Sequence, residues 1–143
     1  MPIFERDRIA IRYPESWTVE ETEDAESGAW AVTVSSPDTA FLQMSLQPDA
    51  DHPGDLADQT LEALKGEYEE LDWEDVVETI RGQPAVGFNA DFLTLDTATT
   101  CRVRCLATDA GALLLLTQVS DYDRERNDPV LTAIVGSLDV DTE

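Results

Sequence analysis

The residues best suited to chemistry lie in one short stretch, Gln47-Pro48-Asp49-Ala50-Asp51-His52-Pro53-Gly54-Asp55. It holds three carboxylates and the chain's one histidine. Asp49, Asp51 and Gly54 stand where positions one, three and six of a calcium-binding loop would stand. Position five is Pro53, however, and position twelve is Thr60, where a bidentate glutamate is required. The pattern is not an EF-hand. What remains is a weak surface metal site at Asp49, Asp51, His52 and Asp55. Helix capping and turn formation account for the same four residues without a metal.

A nucleophile activated by histidine would have to use His52, which lies in a polar loop. The sequence contains no GxSxG elbow, Walker loop, GxGxxG or HExxH. With 31 acidic residues, some carboxylates fall close together by chance, so acid density does not point to glycosidase-type chemistry. The expectation is a non-enzymatic chain with no cofactor. Cys101 and Cys105 lie four apart in a strand-like run, roughly 13 Å along one face. A disulfide requires Cα atoms within about 7 Å, so these two do not bridge each other. They read as small buried apolar groups in a reducing compartment.

Arg102 and Arg104 alternate with these cysteines and face the other way, alongside Leu106. In a chain with nine cations they are a candidate anion or carboxylate site. The competing expectation is a cross-strand pair of Asp91 with Arg102, worth roughly 0.2–1 kcal/mol.

The elements that must position these groups follow from periodicity. Residues 8–13, 17–19, 30–34 and 41–46 read as short strands, ended by Pro14, Ser27-Gly28, Ser36-Pro37-Asp38 and Pro48. Ala57, Leu61, Leu64, Tyr68 and Leu71 then fall at spacings of three and four. They predict a helix over 55–71 with Asp55 as N-cap. Strand character returns from Trp73 to Arg81, and Gly82-Gln83-Pro84 makes a turn.

From Arg81 to Ser120 come three long strand-like runs. Asp96-Thr97 is expected to close a two-residue hairpin, with Asp91 opposite Arg102 and Phe92 opposite Cys101. Phe88, Phe92, Cys101, Val103 and Cys105 then share a face. Asp109-Ala110-Gly111 suits a three-residue turn. Leu113 to Leu116 is apolar on both faces, so this strand should be covered on both sides. Asp128-Pro129 predicts the start of a second helix that Gly136 stops. Trp17, Trp30 and Trp73 sit beside strand positions, where partial burial is expected. The whole is one domain over 1–143, with a flexible tail at 139–143.

The net charge of −22 repels phosphate backbones and anionic lipid, so nucleic acid and membrane surfaces are poor partners. Such acidity suits either saline surroundings or a basic partner. The charged start and the short apolar runs predict neither a secretory signal nor membrane insertion. The expectation is a cytoplasmic monomer.

The fold class expected is α+β, a mostly antiparallel sheet covered by helices. The order of elements resembles the PsbP and Ran-binding Mog-type fold, including bacterial domains related to DcrB. The marks that carry the resemblance are Ile11-Arg12-Tyr13-Pro14-Glu15-Ser16-Trp17, Gly82-Gln83-Pro84-Ala85, and the closing helix with Ser137-Leu138. The resemblance implies an α/β/α sandwich and a non-catalytic adaptor or assembly factor that binds another protein. The function expected is therefore a non-enzymatic protein-interaction domain, adaptor or chaperone-like, of unknown partner. The alternatives are a small-molecule or lipid-binding domain and a cryptic hydrolase.

Overall fold

A computed structural model describes residues 1–50, 52–94 and 96–140. The strands are β1 (Ile3–Arg6), β2 (Ile9–Arg12), β3 (Thr18–Glu23), β4 (Trp30–Ser35), β5 (Phe41–Gln47), β6 (Asp72–Ile80), β7 (Gln83–Thr94), β8 (Thr97–Thr108), β9 (Gly111–Ser120) and β10 (Asp139–Val140). Helix α1 (Pro53–Glu67) falls between β5 and β6, and α2 (Arg124–Gly136) follows β9.

Two meanders join into one seven-stranded antiparallel sheet in the order β3-β4-β5-β9-β8-β7-β6. The seam is β5 against β9, with Phe41 opposite Gln118 and Gln47 opposite Ala112. Helix α1 covers one face of the β7-β8-β9 half, over Phe88, Ala90, Phe92, Cys101, Val103, Cys105 and Leu114. On the other face, α2 and the small sheet β1-β2-β10 close a larger core. Leu113 and Leu115 belong to that second core while Leu114 faces α1, so β9 is buried on both sides as its unbroken leucine run requires. The architecture is α+β with helices on both faces of an antiparallel sheet.

Several expectations are corrected at the turns. Thr94 pairs with Thr97, so the β7–β8 loop lies one residue earlier than Asp96-Thr97, and Asp96 takes φ 65°. Moving a turn by one residue moves every partner by two. Face assignments therefore survive, while Asp91 lies opposite Thr100, Phe92 opposite Thr99, and Arg102 opposite Asn89. Thr108 pairs with Gly111, making a two-residue loop of Asp109-Ala110. Gly111 is dictated by crowding as well as by its φ of +140°. A Cβ there would stand 2.6 Å from the Gln47 carbonyl oxygen.

Helix α1 starts at Pro53 with His52 as N-cap, and Asp55 lies in its first turn. It ends at Glu67, because Tyr68 turns extended and stacks on Phe92 with centroids 4.0 Å apart. Helix α2 starts five residues before Pro129, with Asp123 as N-cap, and carries that proline inside. The N-terminal strand β1 was not anticipated. Its hairpin turns through Asp7 and Arg8, both at positive φ. Asp139 and Val140, expected in a flexible tail, pair with Ala10 and Ile9; the remaining tail, 141–143, lies outside the described residues.

Candidate functional site

Cross-strand spacing places the two arginines of β8 on the sheet face that α2 only partly covers. Together with α2 they form a cleft of about 290 Å³, lined by Arg102, Arg104, Glu78, Asp128 and an apolar wall of Leu115, Leu131 and Val135. Arg104 is 9% exposed and makes four bonds. Its Nε donates to Glu78 Oε1 at 2.7 Å. Its Nη1 donates to the carbonyls of Phe88 and Val103, and its Nη2 to Asn89 Oδ1. No side chain fits opposite it, since a Cβ on Gly87 would lie 1.8 Å from the Val103 carbonyl oxygen.

Arg102 does not meet Asp91. Its partner is Asp128 on α2, at 2.6 and 3.3 Å through both terminal nitrogens. Those bonds chiefly raise the Arg102 pKa above its ordinary value, with smaller help from the charge of Asp91. Asp91 instead accepts from the Thr100 hydroxyl at 2.8 Å. The register explains the exchange: a partner two positions away placed Thr100 beside Asp91 and freed Arg102 to reach α2. Each guanidinium in the cleft thus arrives with its own carboxylate. The site is strongly dipolar and close to neutral, with little pull on a free anion.

A second polar cluster joins the start of α2 to the β4–β5 loop. Asp123 is 2% exposed and accepts from the Thr39 hydroxyl and amide, the Ser120 hydroxyl at 3.1 Å, and Asn127. Burial alone would raise its pKa, but the hydrogen bonds from Thr39, Asn127 and Ser120 outweigh it and hold the carboxyl below its ordinary value. A general base needs a pKa near its working pH, so this carboxylate is suited to fastening and not to proton transfer. Sequence reasoning missed the cluster because Thr39 and Asp123 are 84 residues apart.

Of the metal candidates, Asp51 lies outside the described residues. His52 acts through its backbone, its carbonyl accepting from Asp55 and Leu56. Among the described residues, no three His, Cys, Asp or Glu side chains converge on a possible metal position. The cysteines are free and fully buried, and burial pushes both thiols up to about 12.

The surface feature that departs most from an ordinary solvated face is strand β6. It ends the sheet, with no strand on its outer side among the described residues. Trp17 and Trp30 are buried, whereas Trp73 on β6 is 42% exposed and Val77 is 78% exposed. The two share the α1 face of the strand, opposite Ala90 and Val86. Lys65 of α1 lies over the Trp73 ring, 4.8 Å from its centroid. Among the described residues, no helix is long and apolar enough to cross a membrane.

No protein-family model matches the chain, and no curated protein matches it by sequence. Solved structures share the fold. A Pseudomonas aeruginosa protein of unknown function, PA94, superposes with a TM-score of 0.60 at 14% identity, covering 100% of this chain and 99% of its own. LpqN of Mycobacterium tuberculosis, involved in cell envelope biogenesis, gives 0.57 at 14% identity over 92% of this chain and 82% of its own. A Bacteroides thetaiotaomicron protein gives 0.58 at 16% identity over 95% of this chain, which spans 46% of that longer protein. At these identities the likeness is one of fold: this chain shares an α+β architecture with bacterial proteins, one of unknown function and one involved in cell envelope biogenesis.

Proposed function

We propose that the chain is a non-enzymatic protein-interaction domain, an adaptor or chaperone-like factor, whose contact surface is the β6 edge. The observation that carries this reading is the exposure of Trp73 and Val77 on one face of a strand whose outer edge pairs with nothing among the described residues. Large apolar groups at a sheet edge are a hazard that folded proteins ordinarily remove, and aromatic residues anchor interfaces. The resemblance to PsbP/Mog-type adaptors is consistent with this reading, and so is the open, internally neutralised cleft under α2. The test is a photo-reactive amino acid at position 77, activated in the native host. The expected result is one specific protein cross-linked at that position, with capture lost in Trp73→Ala. Cross-linking that yields no specific protein, or is unchanged by Trp73→Ala, would overturn the reading.

A small-molecule binder is the second reading, favoured by the apolar wall of Leu115, Leu131 and Val135 beside Arg102. Ligand-induced amide shifts confined to that cleft would support it over the first.

A further inference from the structure

We propose that β6 is a strand-addition site for a basic, extended segment of a partner protein. This rests on the reading of β6 as the contact surface and names the chemistry of what it contacts. Nine residues of β6 present one edge about 30 Å long, along which roughly every second residue turns its N–H and C=O outward. An added strand would satisfy those groups and lay its side chains over Trp73 and Val77 on one face and Val76 on the other.

The charge of the incoming strand follows from a comparison of the sheet's two edges. At the far edge, β3 carries Glu20, Glu21 and Glu23, and the chain supplies its own cation. Arg6 of β1 reaches Glu23 at 2.7 Å and Glu21 at 3.9 Å. Val19 there is half-buried. At the β6 edge stand Asp72, Glu74, Asp75 and Glu78, of which Glu78 is held by Arg104. The nearby cation of α1, Lys65, is placed over Trp73 and 3.5 Å from Glu62. Strand alternation sets Asp72, Glu74 and Glu78 in a row on the face opposite α1, while Trp73 and Val77 flank Asp75 on the α1 face, an arrangement complementary to alternating basic and β-branched residues.

A second copy of this chain fits poorly. Antiparallel pairing of β6 with itself, centred on Val76, sets Glu74 opposite Glu78 and brings together two chains of charge −22. Like charges directly opposite are destabilising.

The test uses a nine-residue blocked peptide alternating lysine with valine, its glutamate-for-lysine counterpart, and an equally charged peptide with prolines replacing the valines. The full chain is followed by NMR amide shifts and hydrogen exchange. The lysine–valine peptide is expected to protect β6 amides at alternate positions. Its affinity is expected to fall tenfold or more in Glu74→Lys, a solvent-facing change on the acidic face checked for folding by circular dichroism. Equal binding of the proline peptide would reduce the effect to charge attraction and overturn strand addition. Equal binding of the glutamate peptide, or protection elsewhere than β6, would overturn it too. So would a concentration-dependent dimer that protects β6 without peptide. If the cross-link at position 77 captures a partner through a helical or acidic segment, the inference falls while the interaction reading stands.

Discussion

The guanidinium of Arg102 and the carboxylate of Asp128 meet edge to edge, with Nη1 to Oδ1 at 2.6 Å and Nη2 to Oδ2 at 3.3 Å. This pair clips α2 to the middle of the sheet. Asp128, which with Pro129 looks like a helix start in sequence, lies inside α2 and turns its carboxylate to the sheet.

Removing one partner leaves the other half-buried and unpaired. Arg102→Ala is expected to lower stability by about 1–2 kcal/mol, more than a fully exposed pair would and less than a buried one. Urea unfolding of Arg102→Ala, Asp128→Ala and the double variant checks this. The two changes should couple, and Asp91→Ala should couple less strongly to Arg102→Ala. Equal coupling to both aspartates would mean that the interstrand pair matters as much as the clip.

The Asp123 carboxyl is held below its ordinary value of 3.8, so its charged form is favoured by the fold. The stability it supplies is complete above that value and disappears as pH falls through the lower folded value. Asp123→Asn is therefore expected to lower Tm at neutral pH, with the gap to the parent protein closing below about pH 4. A gap that stays constant to pH 2 would assign the loss to shape and not to charge.

With both thiols pushed up to about 12 by burial, Cys101 and Cys105 carry almost no thiolate at neutral pH. Iodoacetamide should label neither in the native protein and both together once urea unfolds it. Mass spectrometry resolves the two cases. Labelling of one cysteine without denaturant would reveal local opening between α1 and the sheet.

A net charge of −22 spread over the surface destabilises the compact state through self-repulsion, which salt screens. Tm is expected to rise steadily with potassium chloride. The exposed pairs of Arg6 and Lys65 oppose that trend only weakly, since each contributes little to begin with.

How far the sequence reveals this molecule depends on the range of the interaction. Alternation is enough to put Phe88, Cys101 and Val103 on one face, because a face depends only on parity, whereas the packing of α1 against that face is seen only in the structure. The partner of Arg102 was not legible, because it depends on a turn placed by one residue and on the packing of α2. The start of α2 was misplaced for a related reason. Its true cap, Asp123, is recognisable only once Thr39 and Ser120 have been brought to it. Trp73 looked like Trp17 and Trp30 in sequence, and only the strand order makes it an edge residue.

The bond between Thr39 and Asp123 closes a chain segment of 84 residues, whereas the turns of the second meander close after two. Loop closure is costlier for long segments, so the β5–β9 seam and its Thr39–Asp123 latch belong to the late part of assembly. Contacts that form after the rate-limiting barrier govern how fast a protein comes apart, not how fast it folds. In stopped-flow measurements, Thr39→Ala should accordingly accelerate unfolding and leave the refolding limb nearly unchanged. The latch acts as a timer on the native state's lifetime.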